Sequence, residues 1–157
     1  MQQHATITEA TFISDANLRS TAKPRRRPIH KMLVSFSAAY FAGALVTDLV
    51  YWQTPDVVWE RFSIWLITAG LIVAGLAIIA YAIDLAASRQ IDRPAWPRVV
   101  GYALAVVLSL INAFVHSRDG YTAVVPTGLM LSALVVVVLS LTAWIDWALS
   151  NRDRVGG

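Results

Sequence analysis

Four stretches of this chain carry no charged side chain: Phe62 to Ile83, Val99 to Ser117, Gly120 to Ile145, and Met32 to Thr47, which continues after the single Asp48 to Pro55. Crossing the hydrocarbon core of a bilayer as a helix takes about 20 mostly apolar residues. Four such segments in 157 residues leave little chain for a separate soluble domain. Backbone amides in lipid must be satisfied within each helix. The sequence therefore predicts an all-α fold, a four-helix transmembrane bundle, with helices near 32–52, 61–85, 98–116 and 124–149 inside one domain over 30–157. A composition of 57% hydrophobic and 15% charged residues lies far from the globular mix and agrees with this reading.

The charges give the bundle a direction. Arg19, Lys23, Arg25, Arg26, Arg27 and Lys31 precede the first span, Arg89, Arg93 and Arg98 lie between the second and third, and Arg152 and Arg154 follow the fourth. Eleven of the thirteen basic residues thus fall on one side of a four-span model, with Arg61 and Arg118 on the other. By the positive-inside rule both termini of this multi-pass chain are expected in the cytoplasm. The basic run Arg25 to Arg27 has no interleaved aromatics, so it reads as a topology signal with attraction to anionic lipid rather than as a nucleic-acid site.

Residues 1–29 are polar, rich in Thr, Ser, Ala and Gln, and are expected to form a disordered basic cytoplasmic tail. Ala42-Gly43-Ala44 resembles a signal-peptide cleavage site, but the apolar run continues through Leu49, Val50 and Tyr51, which favours an uncleaved first helix. Tyr51, Trp52 and Trp59 at one boundary, and Trp96, Trp144 and Trp147 at the other, suit the headgroup level. Small residues recur at four-residue spacing as Ser35, Ala39, Gly43 and Thr47 on the first span and Gly101, Ala105, Ser109 and Ala113 on the third. Gly70 with Ala74 and Gly128 with Ser132 are shorter versions on the second and fourth. Small side chains let helix backbones approach in lipid, so these stripes are expected to face inward.

Polar residues at membrane depth are costly and tend to face a bundle interior, so any function would reside there. Two sets stand out. Asp48, Asn112, His116 and Arg118 form a candidate polar cluster near the outer side, with Asn112 and His116 four residues apart on one face. His30, Asp84, Arg89 and Asp146 lie near the inner side. The default reading of each set is a helix-end network that sets register between neighbours.

No catalytic, cofactor-binding or metal-binding residue is assigned. The chain has no cysteine, which removes disulfides and thiolate chemistry. Gly-x-Ser-x-Gly, phosphate-loop and dinucleotide-binding patterns are missing. His30 and His116 sit at opposite membrane levels, about 30 Å of hydrocarbon apart, so one haem iron cannot take both. Metal ligation by His116 and Asp48 would need a third ligand that the sequence does not supply.

Ile29-His30-Lys31-Met32-Leu33-Val34 resembles the Ile-His-Pro-Met-Leu-Val opening of the bacterial membrane proteins grouped as domain of unknown function 2231. The resemblance continues through Leu45-Val46-Thr47-Asp48-Leu49, Trp65-Leu66, Ala69-Gly70, Ile83-Asp84, Leu108-Ser109-Leu110-Ile111-Asn112, Arg118, Leu131-Ser132, Trp144, Arg152 and Val155-Gly156. It implies a four-helix membrane protein. Lys31 stands where that family usually has Pro and Ser35 where many members have His, while Asp146-Trp147-Ala148 and Arg152-Asp153 replace its usual Gly-Gly-Glu and Arg-His. A family-wide redox or metal site built on those positions is therefore not expected in this chain.

The expected function is that of a non-enzymatic accessory or interaction protein, multi-pass in the bacterial inner (plasma) membrane and without cofactor. Its expected partners are membrane lipid and either another membrane protein or further copies of the chain, with no nucleic acid. The alternative is a small proton, ion or electron-transfer component using Asp48, Asn112 and His116, and convergence of those three side chains on one site would favour it.

Overall fold

The computed structural model describes residues 29–87, 96–118 and 124–155. Residues 1–28 of the expected tail and Arg89 lie outside the described residues. Four helices follow one another: α1 (Ile29–Gln53), α2 (Val57–Ala86), α3 (Trp96–Ser117) and α4 (Leu129–Val155). All four are long and apolar enough to cross a membrane, and there is no strand among the described residues. α1 packs most extensively on α2 and α3 on α4, while contacts of α1 with α4 and of α2 with α3 close the ring.

α2 begins at Val57, ahead of the expected start at 61, because Asp56 caps it. Its backbone is extended there (φ −98, ψ 123), and its carboxylate accepts the Val58 amide at 3.0 Å, satisfying one of the donors a helix leaves free at its start. The fourth span begins less regularly than expected. Val125, held out of the helical region by the proline that follows it, is extended (φ −116, ψ 124), so regular helix starts only at Leu129.

The bundle is inverted relative to a water-soluble protein. Trp65, Phe114 and Met130 are exposed on its surface, whereas among the described residues the buried polar side chains outnumber the buried apolar ones. Lipid welcomes the first group, and polar groups retreat inward. The apolar centre is small, with Phe41, Ala105 and Val135 at its core and Leu71, Leu108, Val138 and Leu139 around it.

Glycines mark the closest helix approaches. A Cβ on Gly70 would lie 2.7 Å from the Phe41 ring, and one on Gly101 would collide with Thr142. The stripes on α2, α3 and the fourth span do turn inward at Gly70, Ala74, Ala105, Ser109, Gly128 and Ser132. On α1 the expectation fails: Ser35 and Ala39 are exposed, and the buried face carries His30, Ser37, Phe41, Ala44, Thr47 and Asp48. A four-residue step drifts by about 40° around a helix. A strict stripe from Ser35 therefore reaches the interior only at Thr47, and the costlier groups, His30 and Asp48, choose the face.

A candidate polar centre joining all four helices

The Asp48 end of the bundle brings together the end of α1, the start of α2, the end of α3 and the start of α4. Asp48 is fully buried, and its carboxylate is held on both oxygens. Oδ1 lies 3.1 Å from His116 Nε2 of α3, and Oδ2 accepts the Ser132 hydroxyl of α4 at 2.5 Å. Asn112 Nδ2 donates to Ser132 Oγ at 2.7 Å. Ser63 of α2 places its hydroxyl 3.3 Å from His116 Nε2 and 3.5 Å from the Ala44 carbonyl.

Hydrogen positions follow from what each partner can do. His116 Nδ1 faces the Asn112 carbonyl at 3.0 Å, and a carbonyl only accepts, so Nδ1 carries a hydrogen. Nε2 then faces Asp48 Oδ1 with room for one further proton. That proton makes either an imidazolium beside a carboxylate or a neutral imidazole beside a carboxylic acid. Without it, two lone pairs would oppose each other at 3.1 Å. Ser63 has two acceptors in reach, the Ala44 carbonyl and Nε2, and can turn its hydrogen to Nε2 when the shared proton leaves. The arrangement is a one-proton site with a rotatable donor beside it.

Glu60, three residues before Ser63 in the first turn of α2, is also buried. A carboxylate in a first helical turn is favoured by the helix dipole. Asp48, Asn112 and His116 thus meet, whereas Arg118 does not join them. It is exposed at the end of α3, two residues past His116 and so on another face, where its guanidinium can reach the headgroup level.

Sequence reasoning missed Ser63 and Glu60 altogether and read Ser132 and Ser109 only as packing residues. The three-residue spacing of Glu60 and Ser63 on one apolar helix was the available signal.

At the opposite end of the bundle the expected inner set divides. His30 Nδ1 lies 3.1 Å from Asp84 Oδ2, linking α1 to α2, and the His30 ring meets Tyr81 edge-on with centroids 5.4 Å apart. Asp146 instead pairs with Arg98, linking α4 to α3. Ser37 and Tyr102 exchange a hydrogen bond of 2.7 Å between α1 and α3, one layer deeper than His30. Among the described residues no group of three or more His, Cys, Asp or Glu side chains could hold a metal ion.

The profile of a family described as predicted membrane protein (DUF2231) matches residues 26–157. Comparison with curated proteins and with solved structures gives no match.

Proposed function

The chain belongs to the DUF2231 family of predicted membrane proteins, and we propose that it is a small, non-enzymatic proton-handling component of a bacterial inner membrane, with the Asp48–His116 pair as its working centre. The observation that carries this reading is the 3.1 Å contact between Asp48 Oδ1 and His116 Nε2, completely enclosed, in which two facing lone pairs call for one proton between them. An ionisable pair at membrane depth is expensive to bury, and hydrophobic residues would pack the same space at lower cost. Enclosure also argues against catalysis on a substrate, because only a proton or a very small molecule reaches groups so deeply covered. Lipid is the partner its exposed apolar surface fits.

Infrared difference spectra of the protein in lipid, recorded between acidic and alkaline pH, test the reading. A carboxyl or imidazole band that titrates in wild type and disappears in Asp48→Asn is the expected result. A spectrum in which neither Asp48 nor His116 changes over the accessible pH range would remove the proposal.

One observation favours a second reading, that of an accessory or interaction protein whose polar centre is a structural clasp: the network takes one or more side chains from each of the four helices. Under that reading Asp48→Asn leaves the physiological role intact.

Orientation follows from the eleven basic residues grouped on one side. Reporter domains fused after Ala22 and after Gly157 are both expected to report cytoplasm. A periplasmic signal at either position would refute this topology and move the Asp48 end to a different face.

A further inference from the structure

We propose that a single water molecule is bound between Ser109 Oγ and Asn112 Oδ1, so that the polar centre is hydrated on the side that faces the middle of the bundle.

The argument begins with Ser132. Its one hydrogen goes to Asp48 Oδ2, so toward Asn112 its oxygen can only accept, and the Asn112 amide must present Nδ2 to it. Asn112 Oδ1 is thereby turned away from Ser132. It is buried and has no hydrogen-bond partner among the described residues, and the same holds for Ser109 Oγ. The two residues are 2% and 1% exposed, too covered to reach bulk solvent.

Ser109 also departs from its neighbours in kind. Ser35, Thr68, Ser140 and Thr142 each turn their hydroxyl back to the carbonyl four residues earlier, which is how a helix in lipid satisfies such a group locally. Ser109 makes no such bond. Left unsatisfied, each atom would have given up its hydration without replacing it.

Ser109 and Asn112 are three residues apart on the buried face of α3, which separates them by about 4.5 Å along the axis. Side chains three apart on a helix are neighbours, within reach of one oxygen that bonds to both at about 2.8 Å. The chemistry selects water. Oδ1 needs a donor, the hydroxyl can both donate and accept, and a water supplies both functions with bonds to spare. A cation would seek several oxygen ligands and a free negative charge, but both Asp48 oxygens are already engaged. Beyond this site the apolar layer of Phe41, Ala105 and Val135 closes the interior, so the water ends the network. The proposal stands whether or not Asp48 exchanges its proton.

Water-edited solid-state NMR on the labelled protein in bilayers tests it directly. Magnetisation from water is expected to reach the side chains of Asn112 and Ser109 well before those of Ala105 and Phe41, and the fast transfer to Asn112 is expected to be lost in Ser109→Ala. Thermal unfolding in detergent supplies an independent readout. Ser109→Ala should melt below wild type because the water loses an anchor, and Ser109→Thr, which keeps the hydroxyl, should recover most of the difference. If Asn112 is as dry as Phe41 in wild type, or if Ser109→Ala melts at or above the wild-type temperature, the water site does not exist. The wild-type measurement decides even if the alanine variant fails to fold.

Discussion

Replacing Asp48 with leucine is expected to lower the unfolding free energy of the bundle by roughly 3–5 kcal/mol, the cost of breaking a buried ionisable pair from one side. Replacing it with asparagine should cost about 1 kcal/mol. Leucine removes the carboxylate that faces both His116 Nε2 and the Ser132 hydroxyl in one step, leaving Nε2 with the longer Ser63 contact and Ser132 without its acceptor. Asparagine retains an oxygen for Ser132 and brings an amide hydrogen that a neutral His116 can accept at Nε2. Single interhelical hydrogen bonds in membrane proteins average only about 0.6 kcal/mol. The larger figure is expected here because contacts to two other helices are lost together inside a buried centre. Leucine would also make α1 easier to insert, so the measurement must be reversible unfolding of the inserted protein in mixed micelles, and expression level would mislead. Equal stability of the wild-type, asparagine and leucine forms would mean that the Asp48 network contributes nothing to cohesion.

The second large effect is expected at Gly128. A Cβ there would lie 2.7 Å from His116 Cε1 and 3.3 Å from Nδ1. The imidazole cannot swing aside cheaply, because Nδ1 is bonded to the Asn112 carbonyl and Nε2 faces Asp48. If α4 retreats instead, the 2.5 Å bond from Ser132 to Asp48 opens. Overpacking of a filled interior costs about 1–3 kcal/mol, and the hydrogen bond adds about 1. Gly128→Ala should therefore destabilise by roughly 2–4 kcal/mol on those figures, and it should shift the His116 ring resonances in NMR spectra.

Gly75 provides the matched control. It lies inside α2, and a Cβ at that position meets nothing within 4 Å. Gly75→Ala should leave stability unchanged or raise it by about 0.5–1 kcal/mol through helix propensity. Similar melting of the two alanine variants would mean that the space against His116 is not tight, and the clamped-imidazole description would fall with it.

What could be read from the sequence differs from helix to helix. The segment from Phe62 to Ile83 identifies α2 unaided, and Gly70 and Ala74 correctly mark the face it buries. On α1 the small-residue stripe misled, because Ser35 and Ala39 are small enough to sit comfortably against lipid while His30 and Asp48 are not. Asp48 and His116 were visible as ionisable groups inside apolar runs, and their pairing was within reach of a helix-end argument. Arg118 was grouped with them by its position along the chain, but a turn of two residues sends it to another face and out to the surface. Ser63 and Ser132 carried no such mark, since a serine in a transmembrane helix bonds its own backbone as readily as a neighbour.

The sequence by itself determined that this chain is a four-helix membrane protein, because apolar length is a local property and each helix closes its own hydrogen bonds whatever surrounds it. The polar centre was decided only by the tertiary structure. Whether a hydroxyl, an amide or a carboxylate serves as a clasp, a proton holder or a water anchor depends on which atoms stand opposite it on the other three helices. Asp48 has both oxygens occupied and Asn112 has one left over because of how α3 and α4 are turned toward α1, and no pattern along one helix encodes that rotation.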